Sequence, residues 1–512
     1  MKNFFTGREP LPSRMFWLAC LALCLIGLAF RLPTLGRSLW LDEAYSAWFS
    51  SVPLYELWHS VPLYETHPPM YYTLLKGWST LFGNGEVAMR SLSVLATVAT
   101  VLLLAVSGKV LRAGPVGERV GLLAALFLAV NKGNIEYAQQ ARPYGLETLT
   151  VTLAILFSML LLKAIREQAG RPLSFQPLLP SMLGLGISAG MTLWLHNTAV
   201  LICFGIWAAL VTTLLCFVPG KRMQQAVAVG VPGVIALLIW SPFLPMFIKQ
   251  NTQLTGLAFW IAANWKDPFA AMSIAAGGKL PLLPVTVLVL LGFVRLWRFD
   301  RTTALNLAVA LGLPLVVVVI YGYLRTPIFI DRLFEWWSPS IMALTALGVI
   351  VGVRQQALRK WAALLVLALG CASTALYYIQ PYKDWPAMVS YIATHAQPGD
   401  MIIASASEAS VPLRYYARRH ANLPEILYIP AAFPALGMKD RTYISNLGTP
   451  AIVPADRIPV HAALQTHGRI WFIEVRPDVY DPQGIVRGEI LSSRKLVESP
   501  VKGTTTMDLF GL

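Results

Sequence analysis

The sequence predicts an α-helical polytopic membrane protein with about eleven transmembrane helices and a small C-terminal α/β domain. Apolar residues make up 56% of the 512 positions and charged residues only 13%, whereas soluble domains carry about 25% charged residues. Several apolar runs approach the roughly 20 residues that a helix needs to cross a bilayer. Beyond residue 380 the composition becomes that of a soluble protein. We therefore expect a membrane module in residues 1–380 and a separate domain in residues 381–512.

Eleven segments are predicted to span the membrane. The first resembles a secretory signal, but no small-residue cleavage site follows it, and Arg31 comes instead. It is therefore interpreted as an uncleaved helix. The predicted spans are residues 15–32, 86–107, 119–132, 145–165, 180–195, 198–218, 226–247, 281–297, 303–323, 338–353 and 360–379.

The basic residues indicate how these spans are oriented. With the N-terminus in the cytoplasm every cytoplasmic loop is basic, as the positive-inside rule requires, and the C-terminal domain lies outside. The net charge of +15 is thus interpreted as a topology signal, and we do not expect a nucleic-acid partner. The basic loops contain Lys109, Arg112 and Arg119; Lys163, Arg166 and Arg171; Lys221 and Arg222; Arg295, Arg298 and Arg301; and Arg354, Arg359 and Lys360.

Two outer regions have structure of their own. In the long loop 33–85, apolar and aromatic residues repeat at helical spacing between residues 70 and 83, which predicts a helix on the membrane surface that Pro68 and Pro69 begin. In the tail, residues 384–396 and 410–419 are predicted to be helices. Residues 401–404, 425–429 and 469–475 are predicted to be strands of a small α/β domain.

Asp42 and Glu43 are the first candidates for catalysis. Two adjacent acids among apolar and aromatic residues at a membrane surface are costly to place, and function can justify that cost. A carboxylate there could accept the proton of an attacking hydroxyl. The alternative is an ordinary surface loop or a helix cap.

His67 stands at the expected start of the surface helix. A helix N-terminus favours anions, so this histidine could contact a phosphate or bind a metal ion, with Glu65 as a neighbouring metal ligand. The alternative is a histidine in a loop that precedes a proline helix start.

Three further outer segments carry polar candidates. Arg142 is suited to bidentate phosphate binding, unless it only extends to the membrane interface. His196 falls at a tight turn between two spans and is either a site residue or a hydrogen-bonded residue of a helix junction. Asp331 and Arg332 are either part of a site or an ion pair at a helix end. One topology places all these groups on the outer side, where carboxylates and cations suit a nucleophile and a phosphate-bearing lipid.

Four motifs resemble those of family-39-type glycosyltransferases, which belong to the membrane-embedded GT-C group together with protein O-mannosyltransferases and aminoarabinose transferases. The motifs are Leu39–Tyr45 (LWLDEAY), His67–Tyr72 (HPPMYY), Phe82–Arg90 (FGNGEVAMR) and Ala141–Tyr144 (ARPY). The resemblance covers roughly residues 15–380. It implies a GT-C fold in a bacterial inner membrane and an inverting transfer of a sugar from a polyprenyl-phosphate donor.

The resemblance also implies roles for individual residues. Asp42 matches the catalytic base and Glu43 completes its motif. His67, Arg142 and Tyr144 match positions near the donor, and Arg332 and His196 are looser matches. In the aminoarabinose relatives a metal-binding glutamate directly precedes the basic residue, whereas here Thr66 occupies that place and the glutamate is Glu65. A divalent metal ion therefore stays an open question.

The sequence thus predicts a glycosyltransferase that moves a sugar to an acceptor hydroxyl at the outer face of the membrane. The acceptor could be a glycolipid, a polysaccharide or a protein. One alternative is a transporter or flippase of lipid-linked sugars, which would need ionisable residues in mid-span. The spans are nearly free of charge away from their ends, and inverted repeats are absent. The other alternative is a non-enzymatic assembly protein.

Overall fold

The computed structural model describes residues 9–254, 262–382, 384–443, 447–503 and 505–512, and most of them are helical. Within these residues nine helical segments are long and apolar enough to cross a membrane. They confirm the predicted polytopic membrane fold. The nine segments are Ser13–Arg31, Glu86–Val110, Tyr144–Glu167, Ala199–Phe217, Arg222–Thr252, Lys279–Phe299, Arg301–Leu324, Asp331–Gly352 and Gln356–Tyr378.

The third and fifth predicted spans take other forms. The third is a pair of helices, Gly114–Ala129 and Lys132–Ala138, bent by 62°. Asn131 begins the second helix of the pair, because its side chain accepts a hydrogen bond from the backbone N–H of Asn134. The fifth is a helix of 15 residues, Leu179–Leu193, preceded by one 3₁₀ turn. All eleven predicted segments are therefore helical, although these two are not single long helices.

The α-helices are numbered here in chain order. They are α1 Ser13–Arg31, α2 Leu41–Ser51, α3 Leu54–His59, α4 Met70–Phe82, α5 Glu86–Val110, α6 Gly114–Ala129, α7 Lys132–Ala138, α8 Tyr144–Glu167, α9 Leu179–Leu193, α10 Ala199–Phe217, α11 Arg222–Trp240, α12 Leu244–Leu254, α13 Asp267–Ala276, α14 Lys279–Phe299, α15 Arg301–Leu324, α16 Ser338–Leu347, α17 Gln356–Tyr378, α18 Trp385–His395, α19 Ser410–Ala417, α20 Arg457–Thr466, α21 Pro477–Tyr480 and α22 Ile485–Leu491.

The chain divides into two compact units. One unit, called the helical bundle below, comprises residues 1–35, 87–245 and 261–380. The other, called the outer unit, comprises residues 36–86, 246–260 and 381–512. The first outer loop therefore groups with the C-terminal tail.

Small residues let the helices of the bundle approach closely. A Cβ atom added to Gly108 of α5 would lie 2.0 Å from the carbonyl oxygen of Gly117 in α6, and one added to Gly348 would lie 2.0 Å from that of Leu288 in α14. Helices in lipid associate through such contacts because the lipid supplies no hydrophobic drive between them. The pairs α10–α15 and α9–α11 also pack along their lengths.

The helix predicted in the first loop is present as α4, and its position on the membrane surface stays a prediction. It begins at Met70 directly after Pro69 and ends at Gly83, whose φ of 91° lies in the left-handed region. Tyr71 and Tyr72 are fully buried within the outer unit, whereas Leu81 is 77% exposed.

A five-stranded sheet forms the centre of the C-terminal tail. Its strands are β1 Met401–Ser405, β2 Glu425–Ile429, β3 Ile470–Val475, β4 Lys495–Val501 and β5 Thr505–Gly511, in the order β2-β1-β3-β5-β4. The first three are parallel and were predicted, whereas β4 and β5 extend the sheet in antiparallel pairing and were not. β4 carries several polar residues and is largely exposed, so its hydrophobic pattern does not indicate a strand.

Candidate active site

Asp42 and Glu43 lie in the first turn of α2. A carboxylate is favoured there because unpaired backbone N–H groups and the helix dipole both attract negative charge. Asp42 is half-buried and Glu43 is fully buried. The Glu43 Oε2 atom accepts a hydrogen bond from the backbone N–H of Trp40 at 3.2 Å. Glu43 therefore caps the helix that carries Asp42. A helix cap was one of the alternatives to catalysis that the sequence left open for this pair.

The C-terminal tail supports the start of α2. The backbone N–H of Leu39 donates to the phenol oxygen of Tyr416 in α19 at 2.7 Å. Just before it, the Ser38 hydroxyl accepts a hydrogen bond from the backbone N–H of Trp385 at 3.2 Å. Burial raises the pKa of the Tyr416 phenol, which therefore stays neutral and keeps both of its hydrogen-bonding functions. Residues on α18 and α19 thus hold the chain immediately upstream of Asp42.

One aromatic ring of the tail packs against α2. Phe433 is 1% exposed, and its ring centroid lies 4.8 Å from that of Tyr45 and 5.2 Å from that of Trp48, both edge-on. Tyr64 contributes a third ring at 5.8 Å. Edge-to-face aromatic pairs stabilise beyond the area that they bury, so this cluster fixes the face of α2 that contains Tyr45.

Glu65 and His67 form one hydrogen-bonded pair within the outer unit. The Glu65 Oε1 atom contacts His67 Nδ1 and also accepts from the backbone N–H of His67 at 3.0 Å. The Tyr72 hydroxyl donates to the same oxygen at 3.3 Å. Gln250 holds the backbone of this segment, because its Nε2 donates to the carbonyl oxygens of Pro62 and Glu65, each at 2.8 Å. Glu65 thereby orients the imidazole so that Nε2 is turned away from the carboxylate.

The Glu65–His67 pair offers two metal ligands, which is fewer than a complete metal site needs. A histidine whose second ring nitrogen is held by a carboxylate is the usual arrangement around a bound metal, and the Glu65–His67 pair fits that pattern in part. Zinc and similar ions need three or four protein ligands. In the described ranges no group of three His, Cys, Asp or Glu side chains is placed to hold an ion. The residues therefore do not form a metal centre by themselves.

Arg142 and Tyr144 lie at the N-terminal end of α8, within the bundle. Arg142 is 4% exposed, and its carbonyl oxygen accepts a hydrogen bond from the Ser93 hydroxyl at 3.2 Å. Its guanidinium carbon lies 6.0 Å from the ring centroid of Tyr144. Pro143 separates the two and begins the helix, for which its fixed φ is preorganised. An arginine so placed presents a planar, bidentate donor beside a helix N-terminus.

The structure brings His196 to the same place. Its ring centroid lies 6.3 Å from that of Tyr144. The His196 Nδ1 atom accepts a hydrogen bond from the backbone N–H of Thr198 at 3.2 Å and contacts the Thr198 hydroxyl at 2.7 Å. Since Thr198 precedes α10, the imidazole serves a helix junction, and its Nδ1 atom is engaged there.

Arg332 lies in the first turn of the 3₁₀ helix Asp331–Trp337, which packs against α8. The Asp331 Oδ1 atom accepts a hydrogen bond from the backbone N–H of Arg332 at 2.8 Å. Asp331 is exposed, whereas Arg332 is half-buried. Arg142, Tyr144, His196 and Arg332 thus lie at or next to the ends of bundle helices that pack against one another.

The sequence analysis did not predict a buried polar network within the bundle. Arg31 is fully buried and donates through Nε to the Thr97 hydroxyl at 2.9 Å and through Nη2 to the side-chain oxygen of Asn134. Asn134 in turn donates to the Glu335 Oε1 atom at 2.8 Å, and Ser338 donates to the same atom at 2.6 Å. The only signal in the sequence was a charge at the end of an apolar run, which is usual for residues at an interface.

Glu147 was missed as well. It lies one turn into α8 and is 3% exposed, and its Oε1 atom has no hydrogen-bond partner in the part of the chain that the structure describes. A buried carboxylate oxygen without a donor is costly. Its spacing from Tyr144 could have placed it near the cluster, but a single glutamate in an apolar helix does not reveal its burial.

The predicted site residues thus fall into two groups, each within its own unit. The outer unit carries Asp42, Glu43, Glu65 and His67. The bundle carries Arg142, Tyr144, His196, Asp331 and Arg332.

Comparison with known families gives one match. Residues 66–246 match the family described as "Dolichyl-phosphate-mannose-protein mannosyltransferase". This is about a third of the chain, and it includes His67, Arg142, Tyr144 and His196. No curated protein sequence matches the chain significantly.

Solved structures match almost the whole chain. ArnT from Cupriavidus metallidurans in the apo state has a TM-score of 0.59 at 13% identity, with 98% of each chain covered. The same protein bound to undecaprenyl phosphate has a TM-score of 0.54 with 97% of each chain covered. The oligosaccharyltransferase of Archaeoglobus fulgidus has a TM-score of 0.57 at 11% identity, covering 91% of this chain and 70% of that one. The GT-C fold that the sequence motifs implied is therefore confirmed.

Proposed function

We propose that this protein is a glycosyltransferase that moves a sugar from a polyprenyl-phosphate donor to an acceptor hydroxyl at the outer face of a bacterial inner membrane. The observation that carries the proposal is the GT-C fold over nearly the full chain, together with a half-buried carboxylate, Asp42, at the N-terminus of α2. The family match to a mannosyltransferase and the structure of ArnT with undecaprenyl phosphate support a lipid-linked donor.

Asp42 is proposed to remove the proton of the attacking hydroxyl. A general base needs a fixed position within hydrogen-bond reach of that proton. Glu43, which caps α2, and Tyr416, which binds Leu39, supply that rigidity. Glu43 therefore contributes by positioning Asp42.

The cationic groups are proposed to bind the donor phosphate. Arg142 and Arg332 have fixed backbones at helix ends, and Glu65 orients His67. Transfer with inversion passes through a state that resembles an oxocarbenium ion. Cations that neutralise the departing phosphate would stabilise this state, which is usually the largest contribution to catalysis. Tyr144 lies beside Arg142, and His196 lies beside Tyr144.

A divalent metal ion would need a ligand from the donor phosphate or from water. Glu65 and His67 are the residues that would hold it, and a bound cation would add charge neutralisation at the phosphate. The A. fulgidus enzyme has a structure with zinc and sulfate. Proton removal and phosphate binding are both assigned to protein side chains, so the proposed reaction does not depend on a metal ion.

Substitution of Asp42 tests the proposal. Cells that lack the gene and carry Asp42→Asn should lose the sugar modification of their envelope glycolipids, polysaccharides or glycoproteins, as detected by mass spectrometry. Asp267→Asn is the matched control, since Asp267 also lies in the first turn of a helix and contacts the backbone of Asn264. Near-normal modification by Asp42→Asn, with normal protein in the membrane, would refute the assignment of the base.

An assay in membrane vesicles with the same variant separates transfer from transport. A transporter or flippase would move labelled lipid-linked sugar across the vesicle membrane without forming a glycosylated product. The proposal expects a product in wild-type vesicles and none with Asp42→Asn.

A further inference from the structure

The helical bundle contains a large cavity that the proposed reaction does not use. Its volume is about 700 Å³, and it lies between α5, α6, α8, α14, α15 and α16. That size is within the range of ligand pockets in proteins, roughly 300–1,000 Å³. Apolar side chains form most of its wall, including Leu156, Met159, Ala343 and Leu347.

The cavity is long and reaches the end of the bundle. Along α8 its lining extends from Thr152 to Glu167, a length of about 23 Å at 1.5 Å per residue. One leaflet of a bilayer contributes about half of the roughly 30 Å hydrocarbon thickness. The cavity is therefore long enough to hold an acyl chain from one leaflet.

Cations surround the end of the cavity at the C-terminus of α8, the opposite end of that helix from Tyr144. Arg112 is exposed and has a φ of 49°, a left-handed conformation that arginine rarely adopts. Lys163 donates from Nζ to the carbonyl oxygen of Leu111 at 2.7 Å, which holds the ammonium group at this end. Arg166 is neutralised by Asp300, with both carboxylate oxygens at 2.8 Å.

The charges of the lining leave a positive balance. Once Arg166 and Asp300 are paired, Arg112 and Lys163 face a single acid, the exposed Glu167. Under the positive-inside rule these helix ends belong to the cytoplasmic side. Basic pockets between membrane helices on that side bind the headgroups of anionic lipids.

We propose that this cavity binds one anionic phospholipid of the cytoplasmic leaflet. One acyl chain lies along the apolar wall between α8 and α16, and the headgroup phosphate contacts Arg112 and Lys163. This site is separate from the proposed catalytic residues, so the lipid is a bound structural ligand and neither donor nor acceptor.

Native mass spectrometry of the full-length protein tests the proposal. The purified protein is mixed with equal amounts of phosphatidylglycerol and phosphatidylcholine. Wild type should retain one phosphatidylglycerol in about tenfold preference, which corresponds to a free-energy difference of about 1.4 kcal/mol. Equal retention of the two lipids, or retention of neither, would overturn the proposal.

Variants of the wall locate the site. Ala343→Trp should fill the cavity and abolish retention, whereas Leu290→Trp, at a residue that is 59% exposed on α14, should leave it unchanged. Leu347→Trp is a second filling variant if the first does not elute as a single species. Retention by both filling variants would contradict the assignment.

Variants of the charged end identify the headgroup contact. The double substitution Arg112→Gln with Lys163→Gln should make retention of the two lipids about equal, and Arg298→Gln, which is exposed on α14 outside the lining, should not. Undecaprenyl phosphate is added as a competitor. If it displaces phosphatidylglycerol at equal concentration, the cavity is a site for the carrier lipid and the assignment to phospholipid is wrong.

Discussion

The phenol oxygen of Tyr416 lies 2.7 Å from the backbone nitrogen of Leu39, although 377 residues separate them along the chain. This hydrogen bond joins the C-terminal tail to the turn that precedes Asp42. Together with Phe433, it makes the tail a positioning element for α2 within the outer unit. The tail contains no catalytic motif of its own, and its effect on transfer is expected to act through Asp42.

Tyr416→Phe should weaken the support of α2. The Leu39 N–H loses its acceptor, which costs about 1–3 kcal/mol for a buried donor. Hydrogen exchange of residues 36–51 should accelerate, and the rate of transfer should fall with little change in the Michaelis constant for the donor. Tyr391→Phe is the control, since the Tyr391 hydroxyl donates to Glu498 of β4 and not to the turn before α2. Unchanged exchange in residues 36–51 would show that the bond is not a support.

The same variant has a pH signature. Burial raises the pKa of Tyr416 above its usual value near 10. Above pH 10 the unfolded chain loses this proton and the folded chain keeps it, so the stability of wild type falls. The Tyr416→Phe variant has no phenol proton at this position, so its stability does not fall for this reason. The difference between their thermal midpoints should therefore narrow as the pH rises past 10.

Phe433→Ala should destabilise the outer unit strongly. It removes the ring that contacts Tyr45, Trp48 and Tyr64, and truncation of a buried phenylalanine costs about 3–5 kcal/mol. Phe433→Leu should cost less because it keeps most of the apolar volume. Thermal unfolding measures both, with Phe82→Ala, at a residue that is 58% exposed, as the control. Equal midpoints for the alanine and leucine variants would exclude a packing role.

Arg142→Lys tests bidentate phosphate binding. Lysine keeps the charge but loses the planar pair of donors. A lost charge-assisted hydrogen bond costs about 1.5–3 kcal/mol, or roughly tenfold to a hundredfold in donor affinity. The Michaelis constant for the lipid-linked donor should rise by that factor, and Arg298→Lys should leave it unchanged. A lysine variant with wild-type affinity would limit Arg142 to a structural role.

Glu335→Ala should disrupt the buried network of the bundle. It leaves the Asn134 amide without its acceptor and the buried Arg31 without a compensating carboxylate. Loss of one partner from such a network costs about 3–5 kcal/mol. Glu335→Gln keeps an acceptor for Asn134 and Ser338 and should cost less. Glu136→Ala is the control, because its half-buried contact with Lys132 is worth about 1 kcal/mol or less.

Cysteine labelling tests the predicted orientation. In a variant without the five native cysteines, a cysteine at exposed position 55 should react with an impermeant reagent in intact cells, and one at exposed position 298 should react only after lysis. The reverse pattern would invert the topology on which the outer location of Asp42 and the cytoplasmic location of the lipid cavity both depend.

The sequence by itself determined the helical membrane fold, because apolar runs of bilayer length are a local property that no distant contact is needed to create. The same holds for α4, β1, β2 and β3, whose patterns stand in contiguous residues. The motif around Asp42 also indicated the candidate base and the GT-C fold.

Only the tertiary structure decided which distant residues support those motifs. Tyr416 and Phe433 hold α2, and Arg31 reaches Asn134 through a buried hydrogen bond. β5 joins the sheet because β3 supplies its partner, and the cavity of the bundle exists because six helices leave space between them. Each of these depends on contacts between residues far apart in the chain, which hydrophobic periodicity within a short window does not record.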